Sequence, residues 1–330
     1  MRILFAGSPA IAVPALEELY TLSRASPDFE LAGVLTNPDS PKGRAGAPLP
    51  TEVGAAAERL SAEYAAGMPL LVLKPEKLDS AARERVAALK PDLLLSFAYG
   101  RIFGPKFLAL FPQGGINIHP SLLPKHRGPT PIPAAILAGE TETGISIQRL
   151  ALEMDSGDIL MQERVALNGR ETTASLSELM AKKAAELLPA ALAGLASGAL
   201  RGTPQNHNEA SYCSLIAKED GLIDWNKSVR EIDARIRAFD PWPQSWTMHG
   251  DKQLFIVQAQ EAEAESAQIQ ELRASAPPGM VLGIDKERGI LVQTGEGVLA
   301  ISGLQYRFKK ALQWKDFLNG ARDFAGSRLG

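Results

Sequence analysis

The chain has 330 residues, is 45% hydrophobic and 22% charged, and carries a formal net charge of −3. At about 150 residues per domain this predicts two globular domains, and the slightly acidic balance confines any nucleic-acid face to a local patch. A single cysteine, Cys213, excludes an intramolecular disulfide and a cysteine-only zinc cluster; with no apolar run approaching the roughly 18 residues of a membrane helix and no signal-peptide form at the N-terminus, the expectation is a cytoplasmic protein without a membrane partner.

The first part of the chain alternates strand-like and helix-like segments. RILFA (2–6), ELAGVL (30–35), LLVLK (70–74), DLLLSF (92–97) and INIH (116–119) are short apolar runs. Between them lie helical patterns such as VPALEELYTLS and DSAARERVAALK, the second with Asp79 or Ser80 as its N-cap. This rhythm predicts an α/β domain, a mostly parallel sheet wrapped by helices, whose site lies beyond the carboxyl ends of the strands. GISIQRL (144–150) and GDILMQERV (157–165) add two strands, and a helix over 173–196, broken in register by Pro189, closes the unit.

GALRGTPQNHNE (198–209) is rich in Gly, Pro and polar residues and reads as a linker, giving expected domains of 1–197 and 210–330. Beyond it come a helix, VREIDARIRAF (229–239), and short strand-like runs with turn signals: SWTMHG, QLFIVQAQ, GMVLGID, GILVQTGEG and VLAISGLQ. Their spacing predicts a small β-barrel. EAEAESAQIQELRASAPP (261–278) reads as an exposed insertion. The stretch YRFKKALQWKDFLNGARDFAGSRLG sets Arg307, Lys309, Lys310, Lys315, Arg322 and Arg328 against Asp316 and Asp323. It is either a solvated terminal helix or a polyanion-binding face.

Four features are candidates for chemistry. Gly7-Ser8-Pro9 follows the first strand and opens a helix, but one glycine is not a dinucleotide fingerprint; a tight turn and a site wall both fit. The loop TNPDSPKGRAGAPLP (36–50), with Lys42 and Arg44, is long enough to be either functional or a mobile solvent loop. Asn117 and His119 are two apart on a strand and therefore share a face, at the end where sites form. Asp155, in LEMDSGDIL, is either a turn residue or a functional carboxylate. The motifs H-E-x-x-H, the Walker loop and G-x-S-x-G do not occur, and no metal is expected.

RILFAGSP, NPDSPKGRAG, FAYGRIFGPKFL, INIHPSLLPKHRGPTPI, GETETGISIQRLALEMDSGDIL, LIDWN and IRAFDPWPQSW resemble, in order and over nearly the whole chain, the methionyl-tRNA formyltransferase family, a branch of the 10-formyltetrahydrofolate-dependent formyltransferases. The resemblance implies a Rossmann-like catalytic domain and an OB-like, tRNA-binding C-terminal barrel. It implies transfer of a formyl group from 10-formyltetrahydrofolate, as co-substrate, to charged initiator tRNA for translation initiation, by a monomer. It implies Asn117, His119 and Asp155 as the catalytic trio. It implies Ser121, Leu122, Leu123 and Pro124, with Phe97, Tyr99 and Gly100, as folate contacts, and Lys42, Arg44, Arg307, Lys309 and Lys310 as tRNA contacts. Two departures stand out. Ala45, Gly46, Ala47 and Pro48 follow Arg44 where relatives often carry lysines, which lowers the loop's charge. His126 stands where relatives commonly carry an aromatic; it is expected to be a supporting or surface residue rather than a catalyst. The alternative is a family member that formylates another amine, such as that of a sugar nucleotide.

Overall fold

A computed structural model describes residues 1–41, 46–63, 70–262, 271, 275–321 and 323–330. They divide into two compact units: Met1–Pro131, Glu142–Ala166 and Leu176–Ser214 form the first, and Ile132–Thr141, Leu167–Ser175 and Leu215–Gly330 the second.

In chain order the first elements are β1 (Arg2–Gly7), α1 (Val13–Ala25), β2 (Glu30–Leu35), β3 (Ser40–Pro41), β4 (Pro48–Leu49), α2 (Glu52–Glu63), β5 (Val72–Leu73) and α3 (Ser80–Ala88). They are followed by β6 (Leu93–Phe97), α4 (Pro105–Leu108), β7 (Gly115–His119), α5 (Pro131–Leu137), β8 (Glu142–Arg149), β9 (Ile159–Ala166) and α6 (Thr173–Ala196). The sheet of the first unit has the order β5-β2-β1-β6-β7-β8-β9. Its pairings are parallel from β5 through β7 and antiparallel from β7 to β9. The chain builds outward from β1 to β5, then returns to the other side of β1 with β6, so the strand order reverses between β1 and β6.

The sequence accounts for most of this. RILFA and DLLLSF are near-continuous apolar runs, the form a parallel strand takes when both its faces are covered, and every residue of β6 is buried. Asp79 caps α3, its Oδ1 accepting from the Ala82 N–H at 3.0 Å. The expected strand over 70–74 shrinks to Val72–Leu73, which pairs only with β2 at the sheet edge. Pro189 does not break α6, which runs through it as one helix; a proline removes one i→i−4 bond, and the surrounding buried face of Ala184, Leu188, Ala191 and Leu192 holds the helix together.

The second unit holds α7 (Val229–Ala238), β10 (Ser245–His249), β11 (Lys252–Ala262), β12 (Val281–Asp285), β13 (Gly289–Gln293), β14 (Val298–Tyr306), β15 (Leu312–Gln313) and α8 (Trp314–Gly320). Its antiparallel sheet runs β10-β11-β14-β13-β12, with β15 on β14. α7 starts with a full capping box between Ser228 and Glu231. Its Val229, Ile232 and Ile236 join Leu254, Ile256, Ile290, Leu299, Ile301, Phe317 and Phe324 in one core. The chain's last residues lie along both outer strands. Arg328 bridges Met280 and Leu329 bridges His249; the Val281 N–H donates to Ser327 O at 2.9 Å and the Gly330 N–H to Met248 O at 2.9 Å. The expected insertion begins on β11 at Glu261; its residues 263–270 and 272–274 lie outside the described residues.

Candidate active site

β7 carries the site because its alternation is strict. Ile116 and Ile118 go into the core, while Asn117 and His119 turn to the other face. Both reach one carboxylate. Asn117 Nδ2 donates to Asp155 Oδ1 at 3.4 Å, and His119 Nδ1 lies 3.6 Å from Asp155 Oδ2. The other ring nitrogen, His119 Nε2, donates to the main-chain carbonyl of His126 at 2.9 Å. A carbonyl can only accept, so Nε2 holds the hydrogen in the neutral ring and Nδ1 holds the lone pair. His119 is buried, and burial pushes its pKa below the ordinary value of 6.5; the Asp155 carboxylate and the His126 carbonyl pull in the opposite direction without overcoming it. The ring is therefore neutral at pH 7.

Asp155 sits at φ +53°, an unusual backbone position for a residue with a side chain, and it is held on several sides. Gln148 Nε2 donates to Oδ1 at 2.9 Å, and the Gly128 N–H donates to Oδ2 at 2.9 Å. Gln148 faces Asn117 directly across the β7–β8 ladder. Gly128 is at φ +123°, and a Cβ there would lie 2.2 Å from Cys213 O. Gly157 is equally required: a Cβ would lie 1.9 Å from Arg149 O. Glycine at 128 thus permits the backbone approach whose N–H holds the carboxylate, and glycine at 157 lets the turn after Asp155 pack against Arg149.

The turn after β7 is bonded as tightly. Ser146 Oγ donates to Ser121 O at 2.6 Å and accepts from the Leu123 N–H at 3.1 Å. Gln162 Nε2 donates to Leu123 O at 2.8 Å and to Ser146 Oγ at 2.8 Å. Ser121 Oγ donates to Lys125 O at 2.6 Å, and the Leu123–Pro124 peptide is cis. Leu123 is buried, while Leu122 and Pro124 are half-buried.

The other expected residues fall as follows. Phe97 is fully buried at the end of β6, and Tyr99 is buried in the core with its ring stacked on Phe103 at 5.3 Å; only Gly100 of the three is exposed. Ser8, at the end of β1, donates to Tyr99 O at 3.2 Å and accepts from Asn37 Nδ2 at 2.9 Å, so GSP serves as a bonded turn. Lys42 and Arg44 lie outside the described residues. Arg307, Lys309 and Lys310 are exposed on the turn after β14, with Arg307 over the Phe308 ring at 4.9 Å. His126 is buried, at φ +56°, and supports His119 through its main chain. Ser146, Gln148 and Gln162 were not among the expected site residues. In GISIQRL, Ser146 and Gln148 alternate with isoleucines just as Asn117 and His119 do in INIH, so the same period-two signal marks them.

An amide, a neutral imidazole and a carboxylate at one strand end can move a proton and bind an oxyanion, the requirements of acyl transfer to an amine. The formyl transferase family profile matches residues 1–192, and the formyl transferase C-terminal domain profile matches 215–322. Methionyl-tRNA formyltransferase of Treponema denticola is 48% identical over 324 residues, covering 98% of this chain and 98% of the relative. That of Treponema pallidum is 43% identical over 330 residues, covering 100% and 99%. Two solved structures share the fold at 18% identity. HypX from Aquifex aeolicus in complex with tetrahydrofolic acid has a TM-score of 0.61, covering 98% of this chain and 48% of that one. WlaRD, a sugar 3N-formyl transferase, has a TM-score of 0.63, covering 94% and 99%. The chain belongs to the formyl transferase family.

Proposed function

We propose that this protein transfers the formyl group of 10-formyltetrahydrofolate to the α-amine of methionyl-tRNA. One observation carries the choice of acceptor: the relatives at 48% and 43% identity, matched from end to end, are both methionyl-tRNA formyltransferases.

The chain's residues divide the work as follows. The amine attacks the formyl carbonyl, the carbonyl oxygen becomes an oxyanion, and the C–N bond to the folate then breaks. Asn117 gives one N–H to Asp155 at long range and has its second for the oxyanion; one such donor is worth roughly 10² to 10³ in rate. His119 Nδ1 takes the proton that the amine loses, since Nε2–H is committed to His126 O. The imidazolium so formed faces Asp155 Oδ2, which stabilises it, and its proton goes to the departing folate nitrogen. The segment Ser121–Pro124 lies beside the folate, with the main chain at Phe97, Tyr99 and Gly100 forming the adjacent wall; the rings of Phe97 and Tyr99 belong to the core. Lys42, Arg44, Arg307, Lys309 and Lys310 bind tRNA phosphates.

The test is an acceptor comparison with 10-formyltetrahydrofolate held constant. Formyl-methionyl-tRNA is the expected product with charged initiator tRNA. Absence of that product, together with formylation of a dTDP-linked amino sugar, overturns the acceptor and leaves the chemistry.

A further inference from the structure

We propose that Gln205 is a positioning residue for this site, acting through Gln148 and Asp155; the proposal rests on the catalytic reading above. Gln205 lies beyond α6, in the stretch that composition reads as a linker, yet it is buried. Its Oε1 accepts from Arg127 Nε at 3.1 Å and from Arg127 Nη2 at 2.7 Å. Its Nε2 has two hydrogens and faces three oxygens: Gly157 O at 2.6 Å and Asp155 O at 2.9 Å, with Gln148 Oε1 at 3.3 Å sharing a hydrogen with one of them.

The direction of these bonds is fixed from one end. A guanidinium has only donors, and Arg127 is fully buried. Its remaining hydrogens go to His207 Nδ1 at 3.3 Å and to Tyr212 Oη at 3.3 Å. Among the described residues it has no carboxylate in ion-pair range. Arg127 therefore forces the oxygen of Gln205 toward itself and the nitrogen toward the Asp155 turn. That nitrogen in turn draws the oxygen of Gln148, which leaves the nitrogen of Gln148 for Asp155 Oδ1 at 2.9 Å. Two amides, each free to flip by itself, are locked in series by a group that cannot flip. The same Gln205 nitrogen bonds the main-chain carbonyls of Asp155, the positive-φ residue, and of Gly157 two residues on. The place needs a side chain that accepts from Arg127 and donates to the Asp155 turn: a carboxylate lacks the donors, and an apolar side chain does neither.

Gln205→Glu keeps the acceptor for Arg127 but sets oxygen against three oxygens; Gln205→Met keeps the volume and forms none of these bonds. Both are expected to lower kcat by at least about tenfold, as small misplacements of a catalytic group do, while KM for each substrate stays within about threefold. In single-turnover assays the loss should vanish when the second change is made in an Asp155→Asn background, because a residue acting through Asp155 has nothing left to orient. A kcat within about twofold of wild type, or an equal loss in the Asp155→Asn background, overturns the proposal. A wild-type protein that formylates no amine refutes the catalytic reading instead. In that case the imidazole ¹⁵N resonances of His119 decide the inference: they are expected to move in Gln205→Met, and unmoved resonances overturn it.

Discussion

His119 is held neutral by its surroundings and aimed by a single main-chain oxygen, that of His126. A neutral imidazole with its lone pair on Nδ1 can take a proton from an amine, and the Asp155 carboxylate, on the same side at 3.6 Å, stabilises the ring once the proton has arrived. His119→Ala is therefore expected to reduce turnover by at least about 10²-fold with tRNA binding nearly unchanged; equal activity in the variant removes His119 from the mechanism. The same burial is expected to make folding pH-dependent. The folded pKa lies below the ordinary 6.5, so below that pH the unfolded chain binds a proton that the folded chain refuses. Stability should then fall as pH drops below about 6.5, by at most about 1.4 kcal/mol per pH unit from this group. Denaturant unfolding at pH 7.5 and 5.5 checks this, and His119→Gln should remove that part of the pH dependence. At this scale the sequence was legible where a period exists: Asn117 and His119 stand out because two polar residues interrupt a strand at spacing two. Gln205 has no such mark. Its bonds reach back 48 to 78 residues, and nothing local records them.

The elements show why the site needs an antiparallel end on a parallel sheet. The turn of β8 back along β7 puts Gln148 opposite Asn117, and the loop leaving β8 returns Asp155 to the same place within a few residues. The apolar runs made the sheet readable, because parallel strands covered on both faces cannot be polar. They did not reveal that Pro189 would be carried inside α6, since that depends on packing around the proline rather than on helix propensity. Nor did the motifs around Asp155 show that the carboxylate is bonded by the main chain of Gly128. Gly128→Ala should be one of the most damaging small changes: the added carbon meets Cys213 O at 2.2 Å in a backbone conformation suited to glycine. A loss of roughly 1–3 kcal/mol or more is expected, measured by chemical unfolding, together with reduced turnover as the Gly128 N–H leaves Asp155.

At the scale of the whole molecule, a net charge of −3 coexists with an exposed cationic turn. Among the described residues Arg307, Lys309 and Lys310 form no ion pair, which leaves their charge available to a polyanion. Replacing all three with alanine is expected to weaken tRNA binding and to lower the salt slope of log K by roughly 0.7–0.9 for each phosphate no longer neutralised, with folate affinity unchanged; an unaltered salt slope assigns tRNA binding to other residues. The terminal segment of the second unit has a separate consequence, for colloidal behaviour. β10 and β12 each have an outer row of main-chain donors and acceptors, and residues 326–330 run along both. Such rows, once bare, pair readily with other chains. Removing those five residues would bare the edge at β12 and the end of β10 beyond Trp246, which Leu222 and Ile223 keep paired, and take away Leu329, which is 2% exposed. The shortened protein is expected to self-associate, visible as a rise in light scattering with concentration, while the full chain stays dispersed: a few residues at the end of the chain would then guard its solubility.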